Sequence, residues 1–571
     1  ADTVYVKTRI RAPAGDDTTR FRFVGYTFDW QGSPSNPSQA YKHYTLAINN
    51  DDAKQEIKGW GIFPSYYSES ALTKFEDDEC KDLLLTDLGA NTARIELYSE
   101  YDTNNKALTG DNIQLIANQI KNLSNYGLDY IICIWSPPGS LKTNGKAQGY
   151  NPDGTWAELK DGCEEEFCDY IKLCLDTLVK LGCKKPLSIS FANEAEGNAE
   201  WQACHFKTDR YVQVCKMLSK KLDDSGYGDV LIHGSESASL GDSFTMFGND
   251  FSAFDDGDFN DALDVFAYHA YRGINPANSD KDTYKIAVDK IGDREIWQTE
   301  YTSINGNGVY DVTESMQKIC RDTRLIGSNR WFWWNTYSTI SNDGIIRNGD
   351  DGYVQTSTYK MLKAVYNGIP SGSNVCTYYV DDVQLADKAS KTEATDITCN
   401  ISTFKTPSGS AAIIVNDSNC NKTYDIKNIA GSEVIVTNYD PDTDTVTSRT
   451  VEKTGSDFSG LTVLAGNIVV VSSVNVMPNI KYGFSFDEKN ERVGAKVKFE
   501  NYNGSNLDMY LCAYKGSQLI DVNWINAEIS SEIQTADISV SYSGADRVEL
   551  FVWKGKNLVP VCEKISAFCP N

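Results

Sequence analysis

Between about Gln55 and Pro370 the chain alternates short β-rich runs with amphipathic helical stretches, and no other feature restricts its fold so strongly. The runs with strand character are Ile57–Phe63, Thr92–Tyr98, Asp129–Trp135, Leu187–Ala192, Val230–Gly234, Asp264–His269, Glu295–Thr299 and Asn329–Trp334. Helical periodicity lies between them, at Asp77–Leu88, Ile113–Tyr126, Glu164–Leu181, Thr208–Leu222 and Val312–Ile326. The connection after Val230–Gly234 is rich in Asp and Phe and is the weakest helix of the series. Eight strand–helix units in some 300 residues predict an α/β fold, a parallel (β/α)8 TIM barrel. A doubly wound sheet is the alternative, but it rarely uses eight such even units.

A chain of 571 residues exceeds one ordinary core, so further domains are expected. Beyond Pro370 a Ser371-Gly372-Ser373 break leads into β-branched runs at Ala411–Val415, Glu433–Thr437 and Ile468–Ser473, separated by Asn and Asp turns. A second β-rich part alternates at Ala495–Phe499 and Arg547–Val552, as a sandwich would. The expected division is an N-terminal β segment over 1–50 belonging to the side domain, a catalytic barrel over 51–370, a β side domain over 371–475 and a β-sandwich accessory domain over 476–571. Val4–Ile10 and Arg20–Phe28 are the strand candidates of the first segment.

The formal net charge of −25 makes nucleic acid and anionic membrane poor partners. No apolar run is long enough to span a bilayer. The start Ala1-Asp2-Thr3 reads as that of a mature chain after signal-peptide removal, so a secreted, extracellular protein is expected. The fifteen cysteines are odd in number, so at least one lacks an intrachain partner. Cys163, Cys168 and Cys174 share a helix at a spacing that matches no zinc pattern, and Cys133 reads as a buried thiol. No metal and no cofactor are expected, and oligomeric state is not legible.

In a barrel of this kind the working side chains gather at the C-terminal strand ends. Those ends carry Trp60-Gly61, Arg94 and Glu96, Trp135-Ser136-Pro137-Pro138, Asn193-Glu194, His269, Thr299-Glu300 and Trp333-Trp334. Two carboxylates among aromatics at the ends of the fourth and seventh strands fit hydrolysis of a glycosidic bond. That reaction needs one protonated acid for the leaving oxygen and one ionised carboxylate for the anomeric carbon. Aromatic surroundings help keep the first neutral, and a cation such as Arg94 keeps the second, Glu300, charged. Each residue alone is uninformative: an Asn-Glu pair is common, a lone His269 is more often a core histidine, and Glu96, Glu196 and Glu236 could be solvated or salt-bridged. Their joint register at the strand ends carries the inference.

The motifs QEIKGWG (Gln55–Gly61), WSPPGSLKTNG (Trp135–Gly145), ISFANEAEG (Ile189–Gly197), YHAY (Tyr268–Tyr271) and WQTEY (Trp297–Tyr301) resemble family 30 of the glycoside hydrolases, in clan A, over residues 50 to 475. The resemblance implies retention of anomeric configuration, Glu194 as general acid/base, Glu300 as nucleophile, and no cofactor. It places Asn193 at the sugar 2-hydroxyl and Trp135, His269 and Trp334 around the cleaved subsite; Arg94, Trp60, Tyr271 and Tyr301 are further candidates for binding substrate. Ala195 stands where the family usually has Pro, and Asn335-Thr336-Tyr337 stand where members requiring glucuronate branches carry Arg. The tail, through LIDVNW (Leu519–Trp524) and VELFVWKGKNLVPV (Val548–Val561), resembles sandwich modules of secreted clostridial enzymes. The expectation is an endo-acting β-glycanase degrading a plant polysaccharide of xylan type. A β-1,6-galactanase, or another family 30 β-glycosidase, is the runner-up; a non-catalytic carbohydrate-binding protein is the rival from another class.

Overall fold

The computed structural model describes residues 42–64, 77–197, 201–271, 288–303, 312–337, 344–349, 352–384, 400–453, 455–474, 479–500, 505–529, 533–554, 559–562 and 564–569. Val4–Ile10 and Arg20–Phe28 lie outside them. At the centre is a closed barrel of eight strands: β1 (Gly59–Ile62), β2 (Thr92–Glu96), β3 (Asp129–Cys133), β4 (Ser188–Ser190), β5 (Leu231–Ser237), β6 (Val265–His269), β7 (Glu295–Glu300) and β8 (Arg330–Trp333). Every neighbouring pair is parallel, and β8 closes on β1 through Trp331 opposite Trp60. The eight-unit expectation is met.

The connection after β5 departs from a single helix. Short turns at Ser243–Met246, Asn249–Asp255 and Gly257–Ala262 replace it. Phe247, Phe251, Phe254, Phe259 and Phe266 meet there with ring centroids 5.1 to 6.0 Å apart. Phenyl packing thus supplies the cohesion that a longer amphipathic helix would have given.

Alternation decides what faces the barrel interior. On β1 Gly61 faces in, where a Cβ would stand 2.0 Å from the Phe332 ring of β8. Phe332 fills the space that glycine leaves, packed with Ile131, Val265, Ala267 and Trp297. Gly61→Ala should therefore overpack this layer and cost about 1–3 kcal/mol. A fall in the urea midpoint of the barrel checks this; an unchanged midpoint would mean that Phe332 has room to move.

The strand Lys42–Ile57 crosses residue 51 and lies in the side domain. It pairs antiparallel with Ser373–Val380 and parallel with Lys422–Lys427, within a ten-stranded sheet. Central strands of that sheet, Gly409–Val415 and Ile468–Ser473, are buried on both faces. Ile413 and Val470 join the barrel-side core, while Ile414 and Val471 join a core with Leu46, Ile48 and Val463. This explains why their sequences are unbroken apolar runs rather than alternating ones.

The C-terminal part is a sandwich whose sheets carry Asn479–Asp487, Arg492–Glu500 and Ile533–Ser541 on one side and Gln518–Ile529, Ser505–Lys515 and Arg547–Lys554 on the other. Lys496 and Lys498 reach Asp82 and Asp87 at 3.3 and 3.7 Å, and Lys481 donates to Asn367 at 3.0 Å. Asp82 and Asp87 precede β2 and Asn367 is at the end of the helix Ser357–Gly368 that follows β8, so the sandwich sits against the bottom of the barrel, away from the mouth. No disulfide joins two of the described cysteines. No helix among the described residues is long and apolar enough to cross a membrane.

Candidate active site

The floor of the barrel mouth is a buried network centred on Arg94, which β2 points inward between Thr92 and Glu96. Its guanidinium donates to Glu300 Oε2 (2.7 Å), Glu236 Oε2 (2.6 Å) and Asn193 Oδ1 (2.6 Å). Cys133 Sγ lies 3.2 Å from the same group. Arg94 and Glu236 have no solvent-exposed side-chain surface. With its oxygen turned to Arg94, the Asn193 amide keeps its NH2 as the group to offer a ligand.

Both network carboxylates depend on irregular backbone. Trp297 and Ala267 pair in register on β7 and β6, but the register slips between Gln298 and Glu300. That bulge turns Glu300 onto the inner face, which strict alternation would have given to Thr299. A second slip between Ser235 and Ser237 on β5 does the same for Glu236. Glu194 follows β4 in left-handed backbone (φ 47°), its N–H held by the Glu236 carbonyl at 2.8 Å. Backbone of this kind in a residue other than glycine is strained and is often found at functional sites.

Glu194 and Glu300 face each other across the mouth. Oxygens of the two carboxyls and a ring nitrogen of His269 all lie within 4.8 Å of one another. His269 Nδ1 is 2.9 Å from Glu194 Oε1, and its Nε2 is 3.5 Å from Glu236 Oε2. The Tyr271 hydroxyl donates to Glu300 Oε1 at 2.8 Å. Burial alone would lower the pKa of His269, but the charges of Glu300, Glu194 and Glu236 outweigh it and push it up to about 10. His269 thus lies among the carboxylates of Glu194, Glu236 and Glu300 as their counter-charge.

Burial pushes the Glu300 carboxyl up and Glu194 adds to the rise, while His269, Arg94 and the Tyr271 hydroxyl oppose it. Burial also disfavours charge on Glu236, but Arg94 overrides it and holds that carboxylate well below the usual range. The arrangement keeps Glu236 as a fixed anion beside the facing carboxyls of Glu194 and Glu300. Such a pair can protonate a leaving group with one member and attack carbon with the other.

Trp135 and Trp334 meet at the rim with ring centroids 5.3 Å apart, and Phe63 stacks on Trp334 at 4.1 Å. Trp156 and Trp201 are the more exposed rings (40% and 53%) on the loops after β3 and β4, which are bridged by Gln148 and Gln202.

Two expected contacts are corrected. Trp60 does not line the mouth: because Gly61 faces in, Trp60 faces out, stacking on Tyr366 at 5.2 Å and donating to the Ile369 carbonyl. Tyr301 likewise follows the inward Glu300 and turns outward, 6.0 Å from both Trp331 and Trp333. Arg94, Asn193, Glu194, His269, Tyr271 and Glu300 do come together, with Trp135 and Trp334 above them. Sequence reasoning set Glu236 aside as solvated or salt-bridged, and it is the buried ion-pair partner of Arg94; Phe63 was not foreseen as part of the rim.

No family model matches the sequence, and no curated protein matches it. Solved structures share its fold. A family 30 subfamily 8 glycoside hydrolase, a xylanase from Clostridium acetobutylicum, superposes with TM-score 0.58 at 15% identity, over 75% of this chain and 98% of that one. The catalytic domain of the family 30 xylanase C from Talaromyces cellulolyticus gives 0.58 at 13% identity, over 75% and 99%. An endo-β-1,6-glucanase gives 0.54 at 13% identity, over 75% and 94%.

Proposed function

We propose that this chain is a secreted, retaining glycoside hydrolase of family 30 that cleaves a neutral plant polysaccharide of xylan type internally by double displacement. The observation that carries the reading is the approach of the Glu194 and Glu300 carboxyls within 4.8 Å over the Arg94 network. Retention needs carboxyl groups about 5–5.5 Å apart, and inversion needs roughly 6.5–9.5 Å to admit a water. Glu300 attacks the anomeric carbon while Glu194 protonates the leaving oxygen; Glu194 then takes a proton from the water that opens the glycosyl-enzyme ester. The Asn193 amide faces the sugar 2-hydroxyl, and Trp135, Trp334, Trp156 and Trp201 offer flat apolar faces to sugar rings. A β-1,6-linked galactan or glucan is the second reading, supported by the shared fold with an endo-β-1,6-glucanase. A non-catalytic sugar-binding role fits less well, since both carboxyls are in place.

Glucuronate branches would need a desolvated cation beside them, because burying a carboxylate without partners costs several kcal/mol. Asn335-Thr336-Tyr337 supply none, and the first cation after them is Arg347, on the hairpin strand Ile346–Gly349 of the loop that follows β8. The test is hydrolysis of glucuronoxylan, arabinoxylan, β-1,6-galactan, β-1,6-glucan and mixed-linkage β-glucan at equal mass, with NMR of the first-formed anomer. The expected result is a β-anomer from xylan with or without glucuronate. Cleavage of the β-1,6-linked polymers alone would move the substrate and leave the mechanism; an α-anomer would overturn the mechanism.

A further inference from the structure

A third carboxyl in the mouth is not used by the mechanism above. The inner face of β2 carries Thr92, Arg94 and Glu96 in successive layers. Thr92 Oγ1 accepts from Arg330 at 2.8 Å, and the Arg330 guanidinium lies 5.3 Å from the Trp297 ring, deep in the barrel. Arg94 is the middle layer and holds Glu300 and Glu236. Glu96 is therefore the top layer, at the mouth, beside Cys133 in register on β3. Cys133 in turn packs with Phe63, Trp135 and Trp334 of the aromatic rim.

Glu96 is 5% exposed, no hydrogen bond or ion pair from another described residue reaches its carboxyl, and the surface it keeps leaves that carboxyl open to the mouth. A buried polar group without a partner is expensive and needs a reason. Here every structural partner is already committed: Arg94 bonds Glu300, Glu236 and Asn193 rather than Glu96. What remains next to it is the mouth itself, where Glu300 is near enough to bear on its charge and where a sugar ring would sit.

We propose that Glu96 is a specificity-determining residue that binds a hydroxyl of the sugar in the cleaved subsite. This rests on the glycoside hydrolase reading and adds to it a polar contact that selects the sugar. Burial pushes the Glu96 acid up to about 8, with Glu300 adding to the rise and Arg94 opposing it. At neutral pH the group is thus a carboxylic acid that can donate through one oxygen and accept through the other. An amide has the same shape and the same pair of roles; a leucine has the volume and neither.

The experiment compares Glu96→Gln and Glu96→Leu with the parent protein on the five polysaccharides named above, following kcat and KM together with thermal midpoint. Glu96→Leu should lose on the order of a hundredfold in kcat/KM, since a site built to bond a hydroxyl is left mismatched. Glu96→Gln should stay within about tenfold of the parent. The thermal midpoint of Glu96→Leu should equal or exceed that of the parent, because an unsatisfied buried acid has been removed. An unchanged kcat/KM for Glu96→Leu on every polymer that the parent cleaves overturns the proposal. A parent protein that cleaves none of them overturns the hydrolase reading instead. Calorimetric binding of xylohexaose and gentiohexaose to Glu300→Gln, with and without Glu96→Leu, then decides the Glu96 contact by itself: weaker binding in the double variant supports it, and equal binding overturns it.

Discussion

Glu300→Gln should lower kcat on the order of 10⁵-fold, because the amide cannot form the glycosyl ester and the remaining site only binds and orients. Glu194→Gln should cost about 10²–10⁴-fold on a polysaccharide, where the leaving alcohol must be protonated. It should cost far less on a dinitrophenyl glycoside, whose leaving group departs as an anion. The asymmetry follows from position: Glu300 is buried against Arg94 and Tyr271, whereas Glu194 is the more exposed of the two, with 18% of its side chain accessible. Azide added to Glu194→Ala should restore turnover and give the β-glycosyl azide. Rescue of the Glu300 variant alone, with an α-azide product, would reverse the two roles.

Arg94→Met should be the most damaging change to stability in the mouth. It removes a guanidinium that neutralises Glu236 and Glu300 where water does not reach, leaving two buried carboxylates to repel each other. Breaking such a buried network by deleting one partner costs about 3–5 kcal/mol, most of it the stranded charge. The penalty should therefore shrink in Arg94→Met with Glu236→Gln, although that variant has one more substitution. Arg94→Lys should fall between, because one ammonium cannot reproduce the fork that spans Glu300, Glu236 and Asn193. Urea unfolding of the three variants measures the series. A single Arg94→Met variant as stable as the parent, or a double variant less stable than the single, would show that stranded charge is not what the arginine prevents.

The sequence by itself determined the class of fold and the residue types of the site. Strand-length runs spaced by helical periodicity permit little but a parallel barrel, because each run must bury its inner face against its neighbours. Strand ends could then be read for chemistry, and Arg94, Asn193, Glu194, His269, Tyr271 and Glu300 lie together where that reading put them. Local pattern could not decide which way a side chain turns once alternation breaks. Bulges before Glu300 and Glu236 bring both carboxylates inward, and a bulge is set by pairing with the next strand rather than by the residues around it. Trp60 and Tyr301 were misplaced for the same reason: one residue of register separates the mouth from the helix-packed exterior. A place for the first fifty residues in the side domain was expected, but the strand Lys42–Ile57 and its pairing were hidden, since its partners lie more than 300 residues away. Tertiary structure alone decided these points, because strand register and long-range pairing are properties of two segments at once.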